Sequence, residues 1–417
     1  MKLNNCMRYI FLFSFLIAGC NDDNEIQPPT EIPEEIPWDF EKLSQVPHFT
    51  WVDSRRPVRT LYYEGEHFNN KKTQVFAFYA SPSTLGLETP SKKYPGVVLV
   101  HGGGGTAFSF WAAEWAKKGY AAIAMDLNGS KPAYDGSKVE REPLPAGGPP
   151  QTDTYRIHNI DSSFNQQWQF HAVSNIIRAH SILRSLEEID SDKTGITGVS
   201  WGGYLTNMVA GIDNRFNAAV PVYGCGFIQE GSFWTDRNLF AALTESQMEK
   251  WIYYWDPANY VKNTTMPMLF VNGTNDKYYH LGIFAKTYEL VDDRSLLIDV
   301  NLEHGHRKGT EPEEIVAFMN HHLLDGIPLP KVSKPEISGD YIVAEMQSDV
   351  KIRKATLFYT TDNKHNTKRK WLSETCDIFG DSIQTKIPKE DIKIYYVNVT
   401  DVNGYTISSD LVFTPSK

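Results

Sequence analysis

The 417-residue chain sets 41 Lys and Arg against 51 Asp and Glu, for a formal charge of -10 and a pI near 5.7. That balance excludes the basic surface that nucleic acid requires, and the length admits more than one domain with a substantial core. Aromatic content is 13%, with 10 Trp and 21 Tyr, which suits a surface that stacks on sugar rings.

Lys2 and Arg8 precede the apolar run Tyr9 to Ala18 and then Gly19-Cys20. Residues 1–19 read as a secretory signal whose apolar stretch is too short to span a bilayer as a stable helix. Leu16-Ile17-Ala18-Gly19-Cys20 resembles a bacterial lipobox, which implies that Cys20 is lipidated and anchors the chain to a membrane. Asp22, Asp23 and Glu25 resemble the export signal of bacterial surface lipoproteins, which implies the cell envelope, at the outer membrane. Residues 20–37, with Pro28, Pro29, Pro33 and Pro37, read as a flexible tether, and folding is expected to begin near Trp38. Cys225 and Cys376 are expected in different domains, free and buried.

Arg59 to Tyr63 and Gln74 to Tyr79 flank the turn-like Asn69-Asn70-Lys71-Lys72 and predict an antiparallel pair at a sheet edge. Gly96 to Val100 is a continuous apolar run of the kind a strand covered on both faces requires. It ends in His101-Gly102-Gly103-Gly104-Gly105, followed by the amphipathic Phe108 to Lys118. Four consecutive glycines would only weaken an element, so their use is backbone access. The N–H groups of Gly103 and Gly104, with that of Trp201, are the candidate oxyanion donors. Tyr120 to Met125 is the next buried strand and Asp126 sits on its rim. The Pro- and Gly-rich stretch 128–165 is too long for a plain connection and reads as a cap insertion on the site's rim.

Gln166 to Glu187 has the apolar spacing of a crossover helix, leading into a strand that ends in Gly198-Val199-Ser200-Trp201-Gly202-Gly203. A serine between glycines at a strand-to-helix turn is a nucleophile elbow, so Ser200 is the candidate nucleophile. Residues 224–262 hold Phe227, Phe233, Trp234, Phe240, Trp251 and Trp255, a density that predicts a helical cap. Met268 to Val271 is a strand ending at Asn272-Gly273-Thr274-Asn275-Asp276, and Ser295 to Val300 ends at Asn301-Leu302-Glu303-His304-Gly305-His306. Thr310, Pro312 and Glu313 predict a capping box on the closing helix. From about 331 short β-rich runs and the turn Asn403-Gly404 replace the strand–helix alternation. The expected architecture is α/β: a doubly wound, mostly parallel sheet over 38–330, then a small all-β sandwich of the immunoglobulin or fibronectin type over 331–417.

Ser200, Asp276 and His304 fall in the order nucleophile, acid, base, each just after a predicted strand. A serine hydroxyl attacks well only if a neutral imidazole takes its proton while a carboxylate fixes the imidazole. His304 is favoured as base because it comes first after the strand and precedes Gly305; His306 stays the alternative, as do Asp292 and Asp293 for the acid. His304 with His306, and His321 with His322, lack a third ligand at suitable spacing, so no metal and no cofactor is assigned.

These polyglycine, elbow, acid and base segments, with Ala124 to Gly129 and Val222 to Gly226, resemble the bacterial acetyl xylan esterase and dienelactone hydrolase-like branch of the α/β-hydrolases from about residue 38 to 330. The resemblance implies a serine esterase that removes acetyl or other short acyl groups from an acylated glycan. One departure is the polyglycine loop, where xylan and cephalosporin deacetylases usually show Arg-Gly-x-Gly. A prolyl oligopeptidase-type peptidase shares the elbow and is the alternative, although the segment before residue 96 is too short for that family's β-propeller. A glycan-binding protein without activity is a third reading, opposed by the intact triad.

Overall fold

The computed structural model describes residues 36–87, 93–134, 139–300 and 302–415; Cys20 and the signal sequence lie outside them. The central sheet is built from β1 (Phe49–Asp53), β2 (Arg59–Glu64), β3 (Gln74–Ala80), β4 (Tyr94–Val100), β5 (Ala121–Met125), β6 (Ile189–Val199), β7 (Ala218–Val222), β8 (Met268–Gly273) and β9 (Arg294–Asp299). Their spatial order is β1-β2-β3-β5-β4-β6-β7-β8-β9. Pairing is antiparallel from β1 through β5 and parallel from β5 to β9. The hairpin expected at the sheet edge is present, with β1 as one further strand outside it.

Every residue of β4, β5, β7 and β8 is buried, which explains why these strands read as unbroken apolar runs. Helices α1 (Ser109–Lys117), α2 (Trp168–Ser185), α3 (Trp201–Ala210), α5 (Leu281–Tyr288) and α6 (Glu313–Leu324) complete the doubly wound core, and α4 (Glu245–Trp255) is a helix of the 224–262 region. The register sets Val100 beside both Met125 and Gly198, and Val222 beside both Val199 and Val271. The loops that follow β4, β5, β6 and β8 therefore leave the sheet at one edge, where open parallel sheets place their ligands.

The β-rich C-terminal part contains β10 (Tyr341–Gln347), β11 (Ile352–Thr360), β12 (Leu372–Thr375), β13 (Ser382–Lys386), β14 (Ile394–Asp401) and β15 (Thr406–Ser408). One sheet runs β15-β14-β11-β12, the other contains β10 and β13, and Ile342, Leu357, Ile383, Val397 and Val399 pack a core of their own. The first of these sheets is not separate from the central one: β15 pairs with β9 through Leu296 and Ser408, continuing the hydrolase sheet edge to edge. Ile298 N–H donates to Ser408 Oγ at 2.7 Å, and Asn398 Nδ2 donates to Ile298 O at 3.2 Å. The open edge of β9 is thus closed by covalently attached strands.

Cys225 and Cys376 are free and buried, as expected. The capping box expected on α6 is not formed. Residues His306–Thr310 make a short helix of their own, so Thr310 ends it and donates to Arg307 O, and Pro312 is left at the start of α6.

Candidate active site

Ser200 stands between β6 and α3 with φ 60° and ψ -120°, a left-handed backbone that a side chain adopts only under constraint. The constraint is close packing around the turn. A Cβ on Gly198 would lie 2.3 Å from Gly202 O, and one on Gly202 would lie 2.0 Å from Val100 O. Ser200 N–H donates to Val222 O at 2.8 Å, pinning the elbow to β7.

The structure brings the three residues of the sequence pattern together. Ser200 Oγ lies 2.9 Å from His304 Nε2, and His304 Nδ1 lies 2.5 Å from Asp276 Oδ2. An ionised carboxylate can only accept, so Nδ1 carries the proton and Nε2 is free to receive one from the serine. Asp276 is 1% exposed, and its Oδ1 accepts from the N–H groups of Tyr278 and Tyr279, each at 2.8 Å. The imidazole lies between the rings of Tyr223 and Tyr278, each 4.4 Å away between centroids.

His306 is not in the relay. Its ring is enclosed by Phe108 at 4.2 Å and Trp111 at 4.6 Å, neither nitrogen has a hydrogen-bond partner among the described residues, and burial pulls its pKa down to about 3. Asp293 pairs with Lys331 at the surface and does not reach His304.

The polyglycine loop lies against the elbow. A Cβ on Gly102 would meet Ser200 Cβ at 3.0 Å, and one on Gly103 would meet the Trp201 ring at 2.7 Å. Several groups hold the loop in shape. Leu127 N–H donates to His101 Nε2 at 2.9 Å, which leaves Nδ1 to donate to Gly102 O at 2.8 Å. Gly105 O accepts from Asn128 Nδ2 and from Arg141 Nη1. Asp126 is structural here: it accepts from Thr106 Oγ1 and from the N–H groups of Asn128 and Ser130. Trp201 opens α3, where the first N–H groups have no intrahelical acceptor. Gly103 packs on the ring of Trp201, which follows Ser200 in the chain. The Gly104 N–H is directed to Gln151 Oε1 at 3.3 Å.

Ser200 and His304 open into a cavity of about 420 Å³ walled by Phe233, Trp234, Tyr278, Gln151 and Arg156. The remaining cap aromatics Phe227, Phe240, Trp251 and Trp255 are packing groups, buried in the core. Sequence reasoning flagged the 128–165 stretch but not Arg156. Its guanidinium stacks 4.6 Å from the Trp201 ring and pairs with Asp153 at 2.5 Å, and burial lowers its pKa. No local pattern distinguishes it from the other arginines.

A second residue that sequence reasoning missed is Asn366, in the loop between β11 and β12. It is 2% exposed and donates from Nδ2 to Asp276 O at 2.8 Å, while Leu281 N–H donates to its Oδ1 at 3.3 Å. Asn275 Nδ2 in turn donates to Asn366 O and Arg369 O. The C-terminal β structure therefore grips the segment that carries the acid.

A family model described as acetyl xylan esterase matches residues 38–229, and one described as prolyl oligopeptidase family matches residues 158–325. Among curated proteins the chain is similar to a dipeptidyl-peptidase 5 of Schizosaccharomyces pombe, 25% identical over 229 residues, which are 52% of this chain and 29% of that protein. A dipeptidyl-peptidase 5 of Porphyromonas gingivalis is 24% identical over 209 residues, 45% of this chain and 26% of that protein. The chain thus spans under a third of the length of these relatives. Among solved structures it is similar to an acetyl xylan esterase from a Paenibacillus species, with TM-score 0.52 and 20% identity over 68% of this chain and 92% of that one. Acetyl xylan esterase 1 from a Thermoanaerobacterium species gives TM-score 0.52 and 16% identity over 72% and 95%. With the parallel sheet and its elbow, these findings give the chain an α/β-hydrolase fold and support an enzyme of the serine hydrolase type.

Proposed function

We propose that the chain is a serine carboxylesterase that removes acetyl or similar short acyl groups from a polysaccharide or oligosaccharide. The observation that carries this reading is the Ser200, His304 and Asp276 relay opening into a cavity walled by Phe233, Trp234 and Tyr278, rings suited to the faces of a sugar. The acetyl xylan esterase match over 38–229, which includes the polyglycine loop and the elbow, supports it.

Ser200 Oγ attacks the ester carbonyl carbon as its proton passes to His304 Nε2, and Asp276 stabilises the imidazolium. The N–H groups of Gly103 and Trp201 receive the carbonyl oxygen as it gains charge; Gly104 joins them only if substrate displaces Gln151. A single donor of this kind is worth about 3–4 kcal/mol of barrier. Collapse breaks the ester C–O bond, and His304 returns the proton to the departing sugar oxygen. Water then gives a proton to His304 and attacks the acyl-enzyme, releasing the carboxylic acid and restoring Ser200.

The same relay cleaves amides, and the match over 158–325 with the dipeptidyl-peptidase relatives favours a prolyl oligopeptidase-type peptidase as the second reading. A dipeptidyl peptidase must hold a free ammonium group, for which a carboxylate is the natural partner. Among the described residues the polar side chains of the cavity wall other than the relay and the aromatic rings are those of Gln151 and Arg156. Location at a bacterial envelope through lipid on Cys20 belongs to the same proposal, and Cys20→Ser should move the protein from the membrane fraction to the soluble one.

The test compares acetate release from acetylated xylan, pectin and chitin oligomers with cleavage of proline-containing peptide amides, for wild type and Ser200→Ala. Acetate release that is lost in the variant supports the esterase. Amide cleavage by wild type with no ester turnover replaces it with the peptidase.

A further inference from the structure

Three residues far apart in sequence meet beside the active-site cavity. Asp236 ends the helical turn Phe233–Asp236, whose first two residues wall the cavity; His280 immediately precedes α5; His365 lies in the C-terminal loop next to Asn366. Their ligand atoms all lie within 4.8 Å of one another, and no other such cluster of His, Cys, Asp and Glu occurs among the described residues.

The distances within the cluster match those of a metal's ligands. His365 Nε2 lies 3.0 Å and His280 Nε2 lies 3.5 Å from Asp236 Oδ2. Ligands about 2.0–2.1 Å from a tetrahedral zinc ion stand roughly 3.3 Å apart. Hydrogen bonding within the protein accounts for only part of the arrangement. His365 can donate from Nε2 to Asp236, but His280 Nε2 is buried with no hydrogen-bond partner among the described residues. Two imidazoles whose rings stand at 90° with centroids 4.7 Å apart present their Nε2 atoms to one carboxylate oxygen. A shared cation satisfies all three at once. The surroundings suit this role as well: His365 Nδ1 is 3.0 Å from Thr367 Oγ1, a contact that fixes the ring and leaves Nε2 as the ligating nitrogen. The side chains of Asp236 and His365 are each 42% exposed, so an ion can enter and water can complete its coordination.

We infer that Asp236, His280 and His365 form a binding site for one zinc-like divalent cation, which clips the C-terminal β structure to the cavity wall and to the segment after Asp276. The ion takes no part in the Ser200 chemistry. It joins the turn that carries Asp236, the start of α5 and the loop that carries His365, and its binding free energy adds to the stability of the folded chain.

The experiment uses the full chain after chelator treatment and dialysis. Zinc is titrated against a chromophoric chelator, and cobalt against its visible absorption, for wild type, His365→Ala, Asp236→Asn and the control His321→Ala. The expected result is one equivalent bound by wild type and by the control, a tetrahedral cobalt spectrum, and a melting temperature that rises with zinc. Affinity should fall at least tenfold in His365→Ala and in Asp236→Asn, with circular dichroism unchanged. No saturable binding near one equivalent, or equal affinity in wild type and both ligand variants, overturns the site.

Discussion

Asn366 offers the sharpest test of the idea that the C-terminal β structure is part of the active site. Asn366→Leu keeps a side chain of similar shape and removes the donor to Asp276 O and the acceptor that Leu281 N–H shares with Arg369 Nη1. Both backbone groups are buried where the loop covers them, and an orphaned buried group costs about 1–3 kcal/mol, so the substitution should lower stability by about 2–6 kcal/mol. The loss of grip also frees the acid: a displacement near 1 Å at a catalytic group can cost about a hundredfold in rate, so kcat should fall by roughly tenfold to a hundredfold. Urea unfolding followed by circular dichroism gives the first quantity, and hydrolysis of p-nitrophenyl acetate gives the second. Asn366→Asp, which keeps an acceptor for Leu281 and loses the donor to Asp276, should lie between. If Asn366→Leu unfolds at the wild-type urea concentration and turns over at the wild-type rate, the loop does not hold the acid and the reasoning fails.

Two further expectations concern individual side chains. His306 has its folded pKa depressed to about 3, so as pH falls below its ordinary value the unfolded chain takes up a proton that the folded chain refuses. Stability from this residue is complete above about pH 6.5 and is lost at up to about 1.4 kcal/mol per pH unit toward pH 3. His306→Phe, matching its aromatic surroundings, should therefore unfold at lower pH than wild type in an acid titration read by tryptophan fluorescence; an unchanged midpoint would contradict the burial argument. Arg156→Met should raise KM for an acetylated oligosaccharide by about tenfold to a hundredfold, the loss of one charge-assisted hydrogen bond, while leaving p-nitrophenyl acetate nearly unaffected. Equal changes on both substrates would place Arg156 in scaffolding alone.

The elbow was legible because its chemistry is local. Gly198 and Gly202 are demanded by approaches of 2.3 and 2.0 Å, and such demands leave a fixed spacing around Ser200. Asp276 and His304 could be placed because each follows a strand of the parallel sheet, which delivers all such loops to one edge. Position after the strand favoured His304 over His306, but what separates the two in the fold leaves no mark on their spacing. The two residues differ in what surrounds them, carboxylate and serine for one and aromatic rings for the other. Thr310 misled because helix start signals do not reveal that a preceding helical turn already claims the residue. The joining of β9 to β15 rests on the pairing of Leu296 with Ser408, and the grip of Asn366 on Asp276 spans 90 positions. Contacts at such separations leave no periodic trace in sequence. The same holds for Asp236, His280 and His365, so searching neighbouring histidines for metal spacing passed over them.

The central claim is that Ser200, activated by His304, carries the hydrolysis of a glycan ester. The most direct measurement is a titration of the full chain with a fluorophosphonate, with label per chain, its position by peptide mass spectrometry, and residual acetate release from an acetylated oligosaccharide followed together. The account predicts label on Ser200 alone, acetate release falling in proportion, and complete loss at one label per chain. Label on another residue, or acetate release that persists once Ser200 is fully labelled, would contradict it.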